Sequence, residues 1–166
     1  YGTISTGFRT PVVNARAGSI SQYDPTDIII PDGADSDDLT SYEIGMKGDW
    51  LDKGLTAHLA VYYIDWNNIQ VQANRVSDTI QFATNIGGAV SKGVESELAF
   101  YPTQGLLLAL NVSWNDAKVT DLSDEEAAIS GAEMGSEMAF PEWQGSVYLK
   151  YDFDIGANNK GFFTTN

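Results

Sequence analysis

Carboxylates are the one kind of chemistry-bearing side chain this sequence carries in number. Of its 23 Asp and Glu residues, six lie between Arg9 and Leu39 (Asp24, Asp27, Asp32, Asp35, Asp37, Asp38), and six lie between Lys118 and Phe140 (Asp121, Asp124, Glu125, Glu126, Glu133, Glu137). Grouped carboxylates can hold a divalent cation through hard oxygen ligands, and Asp32, Asp35, Asp37 and Asp38 are the candidate metal ligands. The run Asp35-Ser36-Asp37-Asp38 lacks the spacing of a complete calcium loop. Solvation and mutual repulsion at an aqueous surface account for the same charge without an ion. The rest of the catalytic repertoire is thin. One histidine, His58, and no cysteine leave a Ser/His/Asp triad, a thiolate nucleophile or a zinc site without parts. No catalytic residue, enzyme activity or cofactor is expected. With 9 Lys and Arg and a net charge of −14, the chain cannot neutralise a phosphate backbone, which excludes nucleic acid as a partner.

The elements that carry these residues are strands. Helical periodicity is nearly absent, and alternation with period two recurs along the chain. Apolar columns run through Tyr42 to Trp50, Leu55 to Tyr63, Lys92 to Phe100, Leu106 to Trp114 and Trp143 to Tyr151. Each spans about nine residues, the number a tilted strand needs to cross a hydrocarbon layer. Charge is segregated from them: Glu43, Lys47, His58, Glu95, Glu97 and Lys150 fall on the opposite face, and Lys92 lies at a column end. Aromatics sit at the column ends: Tyr42, Trp50, Tyr63, Phe100, Trp114, Trp143 and Tyr151. Amphipathic rings at both water boundaries form the girdles of transmembrane β-barrels, and a cation at the lipid midplane costs about 2–4 kcal/mol.

A soluble antiparallel sandwich, for instance a carbohydrate-binding module, also alternates. Two features favour a barrel. A sandwich core places its largest rings near the middle of its sheets, whereas here they mark the ends. Short links at 51–54, 102–105 and 156–161 also alternate with long ones at about 9–39, 73–83 and 118–140, as on the two sides of an outer-membrane barrel. Ser123 and Glu126 have capping-box spacing for one helical turn inside the last long loop. The fold class read from the residues is therefore all-β, a transmembrane antiparallel barrel segment of about seven strands. Seven strands with open edges do not close in lipid, so the segment is expected to supply roughly a third of a barrel of the 22-stranded class.

Particular residues then resemble a family, the TonB-dependent outer-membrane receptors, in their C-terminal barrel portion. They are Gly7-Phe8-Arg9 with Pro11; Ser41-Tyr42-Glu43 with Gly45 and Lys47; and Tyr62 to Trp66 with Asn68, Ile69 and Gln70. Asn85 with Gly87 and Ala89, Lys92 to Leu98, and Pro141 with Trp143, Tyr148 and Tyr151 complete the series. Their order covers nearly all of the chain. The resemblance implies a Gram-negative outer-membrane transporter that takes up a scarce solute, of siderophore-iron, cobalamin or saccharide type, with TonB-coupled energy. It implies acidic extracellular loops, contact with outer-membrane lipid and lipopolysaccharide, and a TonB complex acting through a plug. The energy-coupling box, the plug and the aromatic C-terminal residue find no match, so residues 1–166 are read as a partial barrel domain. A passive porin or other outer-membrane barrel shares the wall physics. Glu95 and Glu97 are expected to be wall residues balanced by Lys47 or Lys150, His58 a polar lumen residue, and Gly45 and Gly93 places where a neighbour packs close.

Overall fold

The computed structural model describes residues 1–166. Seven strands form one antiparallel sheet in the order of the chain: β1 (Gly2–Arg9), β4 (Asp37–Trp50), β5 (Leu55–Asn74), β6 (Gln81–Thr103), β7 (Leu106–Asp121), β8 (Trp143–Ile155) and β9 (Asn159–Thr165). Between β1 and β4 a two-stranded ribbon pairs β2 (Val12–Val13) with β3 (Gly33–Ala34). The up-and-down order follows from the connections. Residues 51–54 turn tightly with Leu51, Asp52 and Lys53 at φ of 55°, 53° and 70°, and Gly105 closes the β6–β7 hairpin at φ 85°, where glycine has no steric penalty.

Register brings the apolar columns into rows. Ile44 stands opposite Val61, Val61 opposite Val94, Val94 opposite Trp114, and Trp114 opposite Trp143. Because directly paired residues share a sheet face, one apolar surface runs across at least five strands. The polar positions align in the same way, with Lys47 opposite His58, His58 opposite Glu97 and Glu97 opposite Asn111.

This sheet has no covering layer. Only 17 of 166 residues are buried, and Ile44 and Val147 in the middle of apolar columns are 68% and 61% exposed. A soluble sandwich buries that face against a second sheet, so the sandwich alternative is not the fold. The buried clusters lie instead where the strands run on past the columns. Ile30, Ala73 and Phe82 pack together in one cluster, and Ile69, Ile86 and Ala89 in another.

Strand length departs from the sequence reading. β5 and β6 are 20 and 23 residues long, so the link expected at 73–83 shrinks to 75–80. Beyond the membrane-length columns they continue as a paired ribbon from Ile69–Ile86 to Asn74–Gln81. Ile69, Val71 and Ala73 alternate there with Gln70, Gln72 and Asn74, so the ribbon keeps the period of a strand past the membrane-length column. The 122–142 connection carries the helix α1 (Asp124–Ser130), two turns rather than one. Its capping box is complete: Ser123 accepts from the Glu126 backbone N–H, Glu126 accepts from that of Ser123, and Gly131 ends the helix in a left-handed conformation.

Candidate functional site

The polar face carries a chain of groups rather than a catalytic constellation. Tyr1 donates its hydroxyl to Glu43 at 2.5 Å and lies 2.8 Å from His58 Nε2, while His58 Nδ1 is 3.6 Å from Glu97 Oε2. Lys47 sits over the Tyr1 ring, 5.7 Å from its centroid. The expected balance of Glu95 and Glu97 by Lys47 or Lys150 is not what forms. Lys150 pairs with Asp152 at 2.9 Å, two residues along its own strand, and Glu97 faces His58 instead. The His58–Glu97 pairing is decided by register, which alternation alone does not reveal. Gly45 receives the Tyr1 ring and Gly93 the Tyr62 hydroxyl, each where a Cβ would collide.

On the apolar face the aromatics fall into two rows. Tyr42 pairs with Tyr63 and Trp114 with Trp143, each with ring centroids 6.5 Å apart. At the other end Trp50 and Phe100 flank Leu55, and Tyr151 stacks on Phe153 at 6.0 Å. In register with Tyr42 and Tyr63, Lys92 shares the Asp116 carboxylate with Lys118, at 3.3 and 2.9 Å.

The four aspartates proposed as metal ligands do not converge, and no group of three or more His, Asp or Glu side chains is placed to hold an ion. Asp37 is withdrawn into the fold, its side chain 2% exposed and ion-paired to Arg9. It accepts hydrogen bonds from Arg9 Nε at 2.8 Å, Trp66 Nε1 at 3.0 Å, and the backbone N–H groups of Arg9 and Gln70 at 3.0 and 3.3 Å. The Arg9 guanidinium, assisted by these donors, lowers the Asp37 carboxyl from 3.8 to about 2. That guanidinium also stacks on Trp66, 5.1 Å from the ring centroid. Around this knot Gln70 Nε2 donates to the carbonyls of Thr10 and Asp35, Asn68 donates to Ser36, and Asn85 donates to Asp35 and Asn68.

A second knot holds the rest of the long loop. Arg75 is 1% exposed; it donates to Asp78 at 3.0 and 2.7 Å and to the Ser19 and Ile28 carbonyls at 2.7 and 3.2 Å. The Asp78 carboxyl is held low by Arg75, and that of Asp27 by the Ser77 donors. Neither arginine stood out as a loop fastener in the sequence, since its partners lie 28 to 61 residues away for Arg9 and up to 56 for Arg75.

Between the Arg9–Asp37 knot and the charged chain lies a cavity of about 280 Å³ on the polar face. Tyr62, Ile64 and Trp66 of β5 line one side, Leu39 of β4 another, and Met138 and Phe140 return over it from the 122–142 loop. No lining side chain is ionised.

A single up-and-down sheet with one lipid-compatible face, one polar face and loops folded at one end is the wall of a membrane β-barrel. The chain matches the family described as TonB dependent receptor-like, beta-barrel, over residues 1–165, and it belongs to that family. Among solved structures it is similar to FpvA of Pseudomonas aeruginosa bound to heterologous pyoverdines, with TM-score 0.59 and 20% identity, covering 94% of this chain and 18% of that one. It is also similar to the pyoverdine outer membrane receptor FpvA from P. aeruginosa PAO1, with TM-score 0.54 and 16% identity, covering 98% and 25%. At these identities the likeness is one of fold. The chain spans about a fifth to a quarter of those receptor chains.

Proposed function

We propose that residues 1–166 form part of the barrel wall of a Gram-negative outer-membrane receptor that takes up a scarce solute with TonB-coupled energy. The observation that carries this reading is the pairing of an exposed apolar face with a polar face in continuous register across the sheet, in a chain of this family. In this reading the apolar columns meet lipid, Tyr42, Tyr63, Trp114 and Trp143 sit at the outer water boundary, and Trp50, Phe100 and Tyr151 sit at the inner one. Glu43, Lys47, His58, Glu95, Glu97 and Lys150 then face the lumen, and the fastened first loop and the 122–142 loop stand at the cell surface beside lipopolysaccharide. The plug and the TonB-contacting segment belong to the rest of the receptor. The fold-level likeness to pyoverdine receptors favours a siderophore over cobalamin or a saccharide as the solute.

Deleting the full-length gene in its host tests the reading. Under iron limitation, uptake of labelled ferric siderophores should fall in the deletion strain. In the parent that uptake should stop on adding a protonophore, which a passive porin would not require. Unchanged uptake of siderophores, cobalamin and saccharides alike would overturn the proposal.

A further inference from the structure

We infer that the cavity beneath Met138 and Phe140 binds an uncharged aromatic group bearing a hydrogen-bond acceptor, a portion of the transported solute distinct from any charged or metal-chelating part. The inference rests on the receptor reading for its access from outside the cell. Three observations carry it. The walls are apolar and aromatic on a face otherwise lined by Glu43, Glu95, Glu97 and their polar neighbours, so the patch is not a continuation of that lining. Its floor is a polar trio: Ser91 donates its hydroxyl to Asn115 Oδ1 at 2.7 Å and Tyr62 donates to the same oxygen at 3.2 Å. With that oxygen engaged twice, the Asn115 amide hydrogens are the free donors, and no protein acceptor takes them.

Size and charge decide the ligand class. About 280 Å³ holds a one- or two-ring group, less than the 300–1,000 Å³ of a site that encloses a whole drug-sized ligand. An anion placed here loses its hydration and gains no cation, because Arg9 is committed to Asp37 and Glu43 stands directly opposite Tyr62 of the lining. A neutral ring keeps the hydrophobic gain from Trp66, Ile64 and Phe140, and its carbonyl or ether oxygen takes the Asn115 donors.

Full-length receptor in lipid nanodiscs, labelled with ¹³C-methyl methionine, provides the test. The Met138 methyl, assigned by Met138→Leu, reports on the cavity, and Met46 on the apolar face reports partition into lipid. The probes are 2-acetylnaphthalene and 2-naphthoate, which share an outline and differ in charge. The expected result is a saturable shift of Met138 with the ketone, at a concentration about tenfold or more below that needed with the carboxylate. Asn115→Asp, which replaces donors with an anion, and Phe140→Ala, a change at an exposed position, should each weaken the ketone response by about tenfold. Equal response to the two probes, movement of Met46 alone, or a silent Met138 because another part of the receptor fills the cavity would overturn the inference. A silent Met138 with siderophore uptake intact removes the pocket and leaves the receptor reading standing. A responsive Met138 in a protein without energy-coupled uptake does the reverse.

Discussion

Asp37 is the residue on which the first surface loop is fastened, and its replacement should release that loop while leaving the wall intact. A carboxyl lowered from 3.8 to about 2 corresponds to about 2–3 kcal/mol of preferential interaction with the charged form. Half of the Arg9 side chain is exposed, so screening by solvent brings the value for loss of charge alone nearer to about 2 kcal/mol. Asp37→Asn keeps an acceptor for Trp66 and Gln70 and should cost about that much in local opening. Asp37→Ala strands their N–H groups and the Arg9 charge and should cost about 3–5 kcal/mol. The assay is hydrogen exchange of the Gln70 amide in the full-length receptor, since that N–H donates directly to Asp37. About 2 kcal/mol corresponds to roughly 30-fold faster exchange for the Asn variant, with a larger factor for Ala. Because the folded-state value is depressed, the stabilisation is complete above the unfolded value near 3.8 and is lost as pH falls through about 2. A 5-fluorotryptophan signal from Trp66 should therefore change with a midpoint near 2. Unchanged Gln70 exchange in Asp37→Ala, or a Trp66 midpoint near 4, would refute the reasoning.

The wall predicts a sharp asymmetry between its faces: Val61→Lys on the apolar face should cost about 2–4 kcal/mol of folding into bilayers, whereas Ser113→Lys on the polar face should cost far less; equilibrium folding of the full receptor into vesicles measures both. In α1, Ser123→Ala removes one side of the capping box and should cost about 1 kcal/mol. Glu126→Ala should cost more, because that carboxylate also accepts from the Gly87 N–H at 2.9 Å; exchange of the Ala127 and Gly87 amides separates the two effects. Gly87→Ala would drive a Cβ into the Asp121 carbonyl and Gly93→Ala into the Trp114 carbonyl and Tyr62 hydroxyl, while Gly2→Ala meets nothing closer than 3.9 Å. Heat-modifiable migration of folded barrel on gels should drop for the first two and persist for the third.

Much of the wall could be read from residue order alone. Which side chains share a face is a period-two property of the chain itself, so the apolar columns, the segregated charges and the aromatic ends needed no partner strand to be seen. The Ser123–Glu126 capping box is likewise local, closing within three residues. The resemblance also rested on Arg9, Trp66, Asn68, Gln70 and Asn85, yet nothing in their spacing said why those residues belong together. In the folded protein they are the bonds that fasten the first long loop to the extended β5–β6 ribbon. Reach decided the rest. Asp37 looked like a candidate metal ligand because its neighbours in sequence are acidic, and only the antiparallel register that sets Arg9 opposite it makes it the anion of a buried ion pair. The chain from Tyr1 through Glu43 and His58 to Glu97, and the apolar cavity roofed by Met138 and Phe140, both depend on loops and strands meeting across tens of residues. A sequence states which face each side chain takes; contacts of that range exist only once the sheet has been assembled.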